Sequence, residues 1–109
     1  MRLAPDKDMR SQKGPIPRER FGAEVDAWAR RIGVTPAVVH VRAMSRKWGS
    51  CSTAGRVSFA TDLLQQHPDF RKRVIVEELL HLRVRSHGKL FKTLLRAYLT
   101  RSESGTVRE

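Results

Sequence analysis

The chain has 109 residues, 39% of them apolar and 30% charged, with a formal net charge of +11. That length supports one modest core and not two, and the balance of apolar to charged residues excludes a disordered polymer. No apolar run reaches the roughly 18 residues of a membrane span, and Cys51, the single cysteine, excludes an internal disulfide, as suits a reducing cytoplasm.

Residues 1–16 mix charges with Pro5, Gly14 and Pro15 and show no period, so they read as a flexible arm. They also lack the apolar segment of a secretory signal, and a cytoplasmic location is expected. From Arg18 onward, Phe21, Val25, Trp28, Ala29 and Ile32 recur at helical spacing, and Gly33 is a suitable stop. Thr35-Pro36 restarts the chain in extended form, and Val39, Val41 and Ala43 alternate with His40, Arg42 and Met44 as a half-buried strand.

The stretch Ser45 to Ala54, containing Trp48-Gly49-Ser50-Cys51, reads as a tight loop poor in bulky side chains, where backbone can approach another group closely. Gly55 suits a turn into a second strand, Arg56 to Ala60, which alternates through Val57 and Phe59. Thr61 to Gln66 forms a short helical turn that Pro68 redirects, with His67 on the surface. Asp69 is a suitable N-cap for a central helix running from Phe70 to about Arg85. Ser86-His87-Gly88 breaks that helix. A last one, about Lys89 to Thr100, gathers Leu90, Phe91, Leu94, Leu95 and Tyr98 on one side. One domain over residues 17–100 and a frayed tail over 101–109 complete the plan.

The central helix carries the chemistry. Glu77 and His81, four apart, share a face, and Glu78 lies beside them within the apolar run Val74, Ile75, Val76, Leu79, Leu80, Leu82 and Val84. Charged groups in such a segment need a partner, and a metal ion is a natural one. The spacing is that of the zinc-hydrolase pattern H-E-x-x-H with Glu77 in place of the first histidine. In that pattern Glu78 is the base and His81 a ligand, with His87 beyond the helix end as a further ligand. Ordinary salt bridges one turn apart are the plain alternative for the same glutamates.

Positive charge surrounds this stretch: nine Lys or Arg lie between Arg71 and Arg101, against only Glu77 and Glu78. Such an excess attracts anionic partners, including nucleic acid or a nucleotide, and also serves simply as a solvated surface.

Taken together, Arg46-Lys47-Trp48-Gly49-Ser50-Cys51, Gly55-Arg56-Val57, Leu63-Leu64, and Glu78-Leu79-Leu80-His81-Leu82 followed by His87 and Phe91 resemble the YgjP-like metallopeptidase family. That family is grouped with gluzincin-type peptidases and is similar to the SprT-like proteases. The resemblance covers about Val38 to Leu99. It implies an α+β, zincin-like fold, with a small antiparallel sheet packed against a central metal-binding helix and flanking helices. It also implies His81 and His87 as zinc ligands, Glu78 as general base, and Glu77 at the position of the family's first histidine. A carboxylate there still suits Zn²⁺ and brings harder ions such as Mn²⁺ into range. Ala60-Thr61 stands where an asparagine is usual after the second strand.

The expected function is a metal-dependent, metallopeptidase-like hydrolase acting on a peptide or protein. A second expectation, from a different class, is a catalytically inactive module of the same fold that holds nucleic acid or another anionic partner on its basic face.

Overall fold

The computed structural model describes residues 15–104, with side chains to residue 100; residues 1–14 of the arm expected over 1–16 and the end of the tail lie outside the described residues. Ile16, expected in that arm, is instead buried in the core, its N–H donating to the Leu64 carbonyl. The elements in order are α1 (Arg18–Ile32), β1 (Val38–Arg42), β2 (Gly49–Cys51), β3 (Arg56–Ala60), a 3₁₀ turn (Thr61–Gln65), α2 (Pro68–Leu80) and α3 (Lys89–Ser104). Among the described residues no helix is long and apolar enough to cross a membrane.

The α+β class is as expected, but the sheet is mixed, not antiparallel. Its strand order is β1-β3-β2, with β1 parallel and β2 antiparallel to the central β3. The expected loop contains β2, and that strand reverses the chain once more before β3 begins. Strands that would have been antiparallel neighbours therefore run the same way, pairing Val39 with Val57 and Val41 with Phe59. Between β2 and β3 the turn is set by Gly55, whose φ of 86° lies in the left-handed region, and by the Ser52 hydroxyl, which accepts the backbone N–H groups of Ala54 and Arg56. Edge strand β1 is more exposed than its alternation suggests: Val38 and Val39 both face solvent in part.

Both remaining layers rest on α2. Phe21, Val25, Ala29 and Ile32 of α1 are buried with Val57 and Phe59 of β3 and with Val74, Ile75, Val76, Leu79 and Leu80 of α2. The Phe21 ring meets Phe59 edge-on at 5.2 Å. The half of α2 from Val74 to Leu80 is buried on most of its sides. One charged tie crosses this interface. Arg71, 3% exposed, donates to both Glu24 carboxylate oxygens at 3.1 and 2.8 Å and to the Gln66 carbonyl at 2.9 Å. Further on, the Arg83 guanidinium donates to the Ile32 carbonyl at 3.0 Å, satisfying an acceptor left open at the end of α1.

At both ends α2 departs from the sequence reading. Its N-cap is His67, not Asp69, and the His67 Nδ1 accepts the Asp69 N–H at 3.1 Å. Its regular turns stop at Leu80, not near Arg85, because the chain tightens there. The N–H groups of His81, Leu82 and Arg83 bond back three residues, to the carbonyls of Glu78, Leu79 and Leu80. Arg85 fixes this end by donating to the His81 carbonyl at 3.1 Å and to the Cys51 carbonyl at 3.3 Å. The end of α2 is thereby clasped to the edge strand β2.

Candidate metal centre

The last turn of α2, the tight turns after it and the start of α3 converge on one spot. His81 caps α2 with a helical backbone, φ −64° and ψ −15°, so its side chain stays one turn above Glu77. Its Nδ1 lies 3.2 Å from the Val84 carbonyl. A carbonyl oxygen only accepts, so Nδ1 carries the proton and the neutral ring presents a lone pair at Nε2. That Nε2 faces the Nε2 of His87 at 2.7 Å, which lies within hydrogen-bond reach as an N–H donor to it.

Phe91, 2% exposed at the start of α3, holds both rings. It stacks on His81 at 4.5 Å and 23° and meets His87 edge-on at 4.5 Å. Burial pushes the His81 imidazole below its ordinary pKa. The Val84 hydrogen bond and Glu77 oppose that shift, while His87 and Arg85 add to it. The net effect favours the neutral ring, the form that binds metals.

Glu77 completes the neighbourhood, its Oε2 3.9 Å from the His87 Nε2. The three residues singled out as ligands are therefore brought together, His81 and His87 directly and Glu77 one step away. Among the described residues no group of three or more His, Cys, Asp or Glu side chains is placed to hold a metal ion. The donor chemistry nevertheless fits a divalent ion: two imidazole nitrogens meet face to face, one with its lone pair outward and its other nitrogen tied to a carbonyl, beside a carboxylate.

Glu78 occupies the adjacent side of α2, under β2. The approach is close enough that a Cβ on Gly49 would lie 2.8 Å from the Glu78 Cγ, so glycine is what lets strand and carboxylate meet. Half-burial lifts the Glu78 carboxyl from its ordinary 4.5 to about 7; Glu77 adds to the rise and Lys47 opposes it. A cleft of about 260 Å³ opens here, lined by Lys47, Trp48, Phe70, Arg73 and both glutamates. Trp48 packs edge-on against Phe70 at 5.1 Å to form its apolar wall.

The other polar candidates lie elsewhere. His40 is exposed on β1, and His67 caps the far end of α2. The Cys51 Sγ faces Arg85 at 3.6 Å rather than the imidazoles. The close backbone approach expected of the loop around Gly49 is made to Glu78, while sequence reasoning gave no role to the Val84 carbonyl and placed Lys47 only within a resemblance. Phe91 entered as part of the apolar side of the last helix and of a resemblance, and its place four residues after His87 was the available signal for its contact with the imidazoles.

A small sheet laid on a buried helix, with two histidines meeting at that helix's end, defines an α+β domain of the zincin-like kind. The family description "YgjP-like, metallopeptidase domain" matches residues 15–104. The chain belongs to that YgjP-like metallopeptidase domain family. It is also similar to the crystal structure of the metallopeptidase zymogen of Methanocaldococcus jannaschii jannalysin. The TM-score is 0.65 at 18% identity, over 79% of this chain and 88% of that one, a likeness of fold. No curated protein matches the chain. Membership of a metallopeptidase domain family implies a divalent metal and a peptidase-like activity.

Proposed function

We propose that the protein is a metal-dependent peptidase in which His81, His87 and Glu77 hold a divalent ion, zinc or a harder ion such as manganese, and Glu78 is the general base. The observation that carries this reading is the meeting of the His81 and His87 Nε2 atoms at 2.7 Å, with the His81 tautomer set by Val84. When bound, the ion supplies Lewis-acid activation of water and of the scissile carbonyl. The chain's own residues do the rest. Val84 and Phe91 orient His81. Glu78, whose carboxyl is lifted by burial to about 7 in the metal-free chain, would take a proton from water and return it to the leaving amine. Trp48 and Phe70 shield that carboxylate from bulk water on one side. The outer edge of β2 offers backbone groups to an extended peptide, which would bind by strand addition.

The test begins with metal content after purification without chelator. Wild type should carry one ion, His81→Ala should lose it, and Glu78→Gln should keep it while losing hydrolysis of an unfolded protein substrate. Absence of metal in wild type after reconstitution with zinc or manganese overturns the reading. Full turnover by Glu78→Gln removes Glu78 as the base.

A further inference from the structure

The net charge of +11 is not an even film. Several of its cations serve the fold: Arg71 is held by Glu24, Arg83 by the Ile32 carbonyl, and Arg85 by the carbonyls of His81 and Cys51. Arg73, Lys92 and Arg96 differ. Among the described residues none of them makes an ion pair, and together they line a cleft of about 450 Å³ between α2 and α3 floored by Leu95 and Leu99. Arg73, Lys92 and Leu95 also line a second cleft, of about 370 Å³, whose inner walls are Glu77, His87 and Phe91. The shared residues join the two into one groove that leads from the imidazole pair out to Arg96.

We infer that this groove is a substrate subsite for an acidic stretch of peptide, whose carboxylates lie against Arg73, Lys92 and Arg96 some residues away from the bond at Glu78. The inference rests on the peptidase reading for which end of the groove meets the reacting bond. Two features favour a peptide over a nucleic acid. The leucine floor accepts the methylene groups of glutamate side chains. Arg96 lies at the outer end of the groove while the inner wall carries the His87 and Phe91 rings, and a peptide can confine its acids to one end where a polymer charged at every unit cannot.

The test is fluorescence anisotropy on the full chain, zinc-loaded and carrying Glu78→Gln, with a labelled peptide bearing glutamates at one end and its glutamine counterpart. The acidic peptide should bind about tenfold tighter at low salt, with the preference shrinking at physiological salt. Adding Arg73→Gln with Arg96→Gln should bring the preference within about twofold. A control pair on the exposed side of α1, Arg20→Gln with Arg30→Gln, removes the same net charge and should leave it intact. Should the groove pair fail to fold by circular dichroism, Lys92→Gln, at an exposed position on α3, gives the same comparison.

A preference that survives the groove substitutions, or falls equally in the α1 control, overturns the inference. So does single-stranded DNA that displaces the peptide with the same dependence on Arg73 and Arg96. Turnover of neutral peptides without any acidic preference sinks the groove and spares the peptidase. An intact preference in a protein that never hydrolyses anything sinks the peptidase and supports the groove.

Discussion

Substituting alanine for Gly49 tests whether the close contact between β2 and α2 is what seats Glu78. The added Cβ would lie 2.8 Å from the Glu78 Cγ, 3.1 Å from the Ser58 carbonyl oxygen and 3.4 Å from the Glu78 Cδ, against an ordinary carbon contact of about 3.5–4.0 Å. The Ser58 carbonyl is backbone of the central strand and Cγ is midway along the glutamate, so neither clears the space by rotating a side-chain tip. Overpacking of this kind costs about 1–3 kcal/mol, offset by roughly 0.4–1 kcal/mol from the smaller entropy of an unfolded alanine. The net expectation is a loss of about 1–2 kcal/mol, and each kcal/mol lowers Tm by about 4–8 °C in a domain of this size. Glu78 should swing out of its niche, and peptide hydrolysis should fall more than metal content does. Gly22 provides the control: a Cβ there meets nothing within 4 Å, and inside α1 alanine should stabilise by about 0.5–1 kcal/mol. If thermal unfolding shows Gly49→Ala as stable as Gly22→Ala, with hydrolysis unchanged, the argument for the contact is refuted.

Three further predictions follow from other contacts. Glu24→Ala leaves the buried Arg71 guanidinium without its carboxylate and should cost about 3 kcal/mol in urea unfolding, with Glu24→Gln recovering part of it; a loss under about 1 kcal/mol would show that water replaces the carboxylate. Glu78, raised from 4.5 to about 7, binds more protons folded than unfolded between those values. Its contribution to stability is therefore complete below pH 4.5 and lost as pH rises through 7. A shift of about 2.5 pH units is worth roughly 3 kcal/mol, reduced by partial solvation to about 1–2 kcal/mol. In metal-free protein, Glu78→Gln should thus gain that much on wild type between pH 5 and pH 8.5, and parallel stability curves would contradict it. Phe91→Leu keeps most of the apolar volume but removes the flat face under His81. It should cost under about 1.5 kcal/mol of stability while weakening zinc binding about tenfold in a chelator competition; unchanged affinity would deny Phe91 its positioning role.

How much of this was legible in the sequence depends on how local each feature is. The spacing of Phe21, Val25, Ala29 and Ile32 announced α1, and Gly33 ends it with a φ of 82°. The placement of Glu77 one turn before His81 followed from the helical period alone, whereas its approach to His87 at 3.9 Å did not. By contrast, β2 is Gly49-Ser50-Cys51, three small residues without alternation. It is a strand because β3 offers it partners, and the bonds from Ala60 N–H to the Trp48 carbonyl and from Ser52 N–H to the Arg56 carbonyl extend the ladder at both ends. The apolar pattern of α2 runs on through Leu82 and Val84, so nothing periodic marked its end at Leu80. The stop is made by Arg85 reaching across to Cys51, more than thirty residues away in sequence. Long-range partners also hid the distribution of charge: the excess was plain from composition, but only the fold separates arginines that hold carbonyls from those that line a groove.

Glu77, the departure from the usual ligand pattern, also acts on its neighbour. Burial is the larger cause of the raised Glu78 pKa, and the negative charge of Glu77 is the next; a neutral imidazole at that position would not supply it. On the proposed reading, the carboxylate at position 77 offsets part of the bound ion's charge and so reduces its power to acidify water. In the metal-free chain the same carboxylate makes Glu78 more basic. Glu77 also opposes the downward shift of His81, while Val84 fixes that ring's tautomer and Phe91 its plane. On the proposed reading, Glu77 therefore tempers the ion it would hold and, before that ion arrives, raises the basicity of the carboxylate beside it.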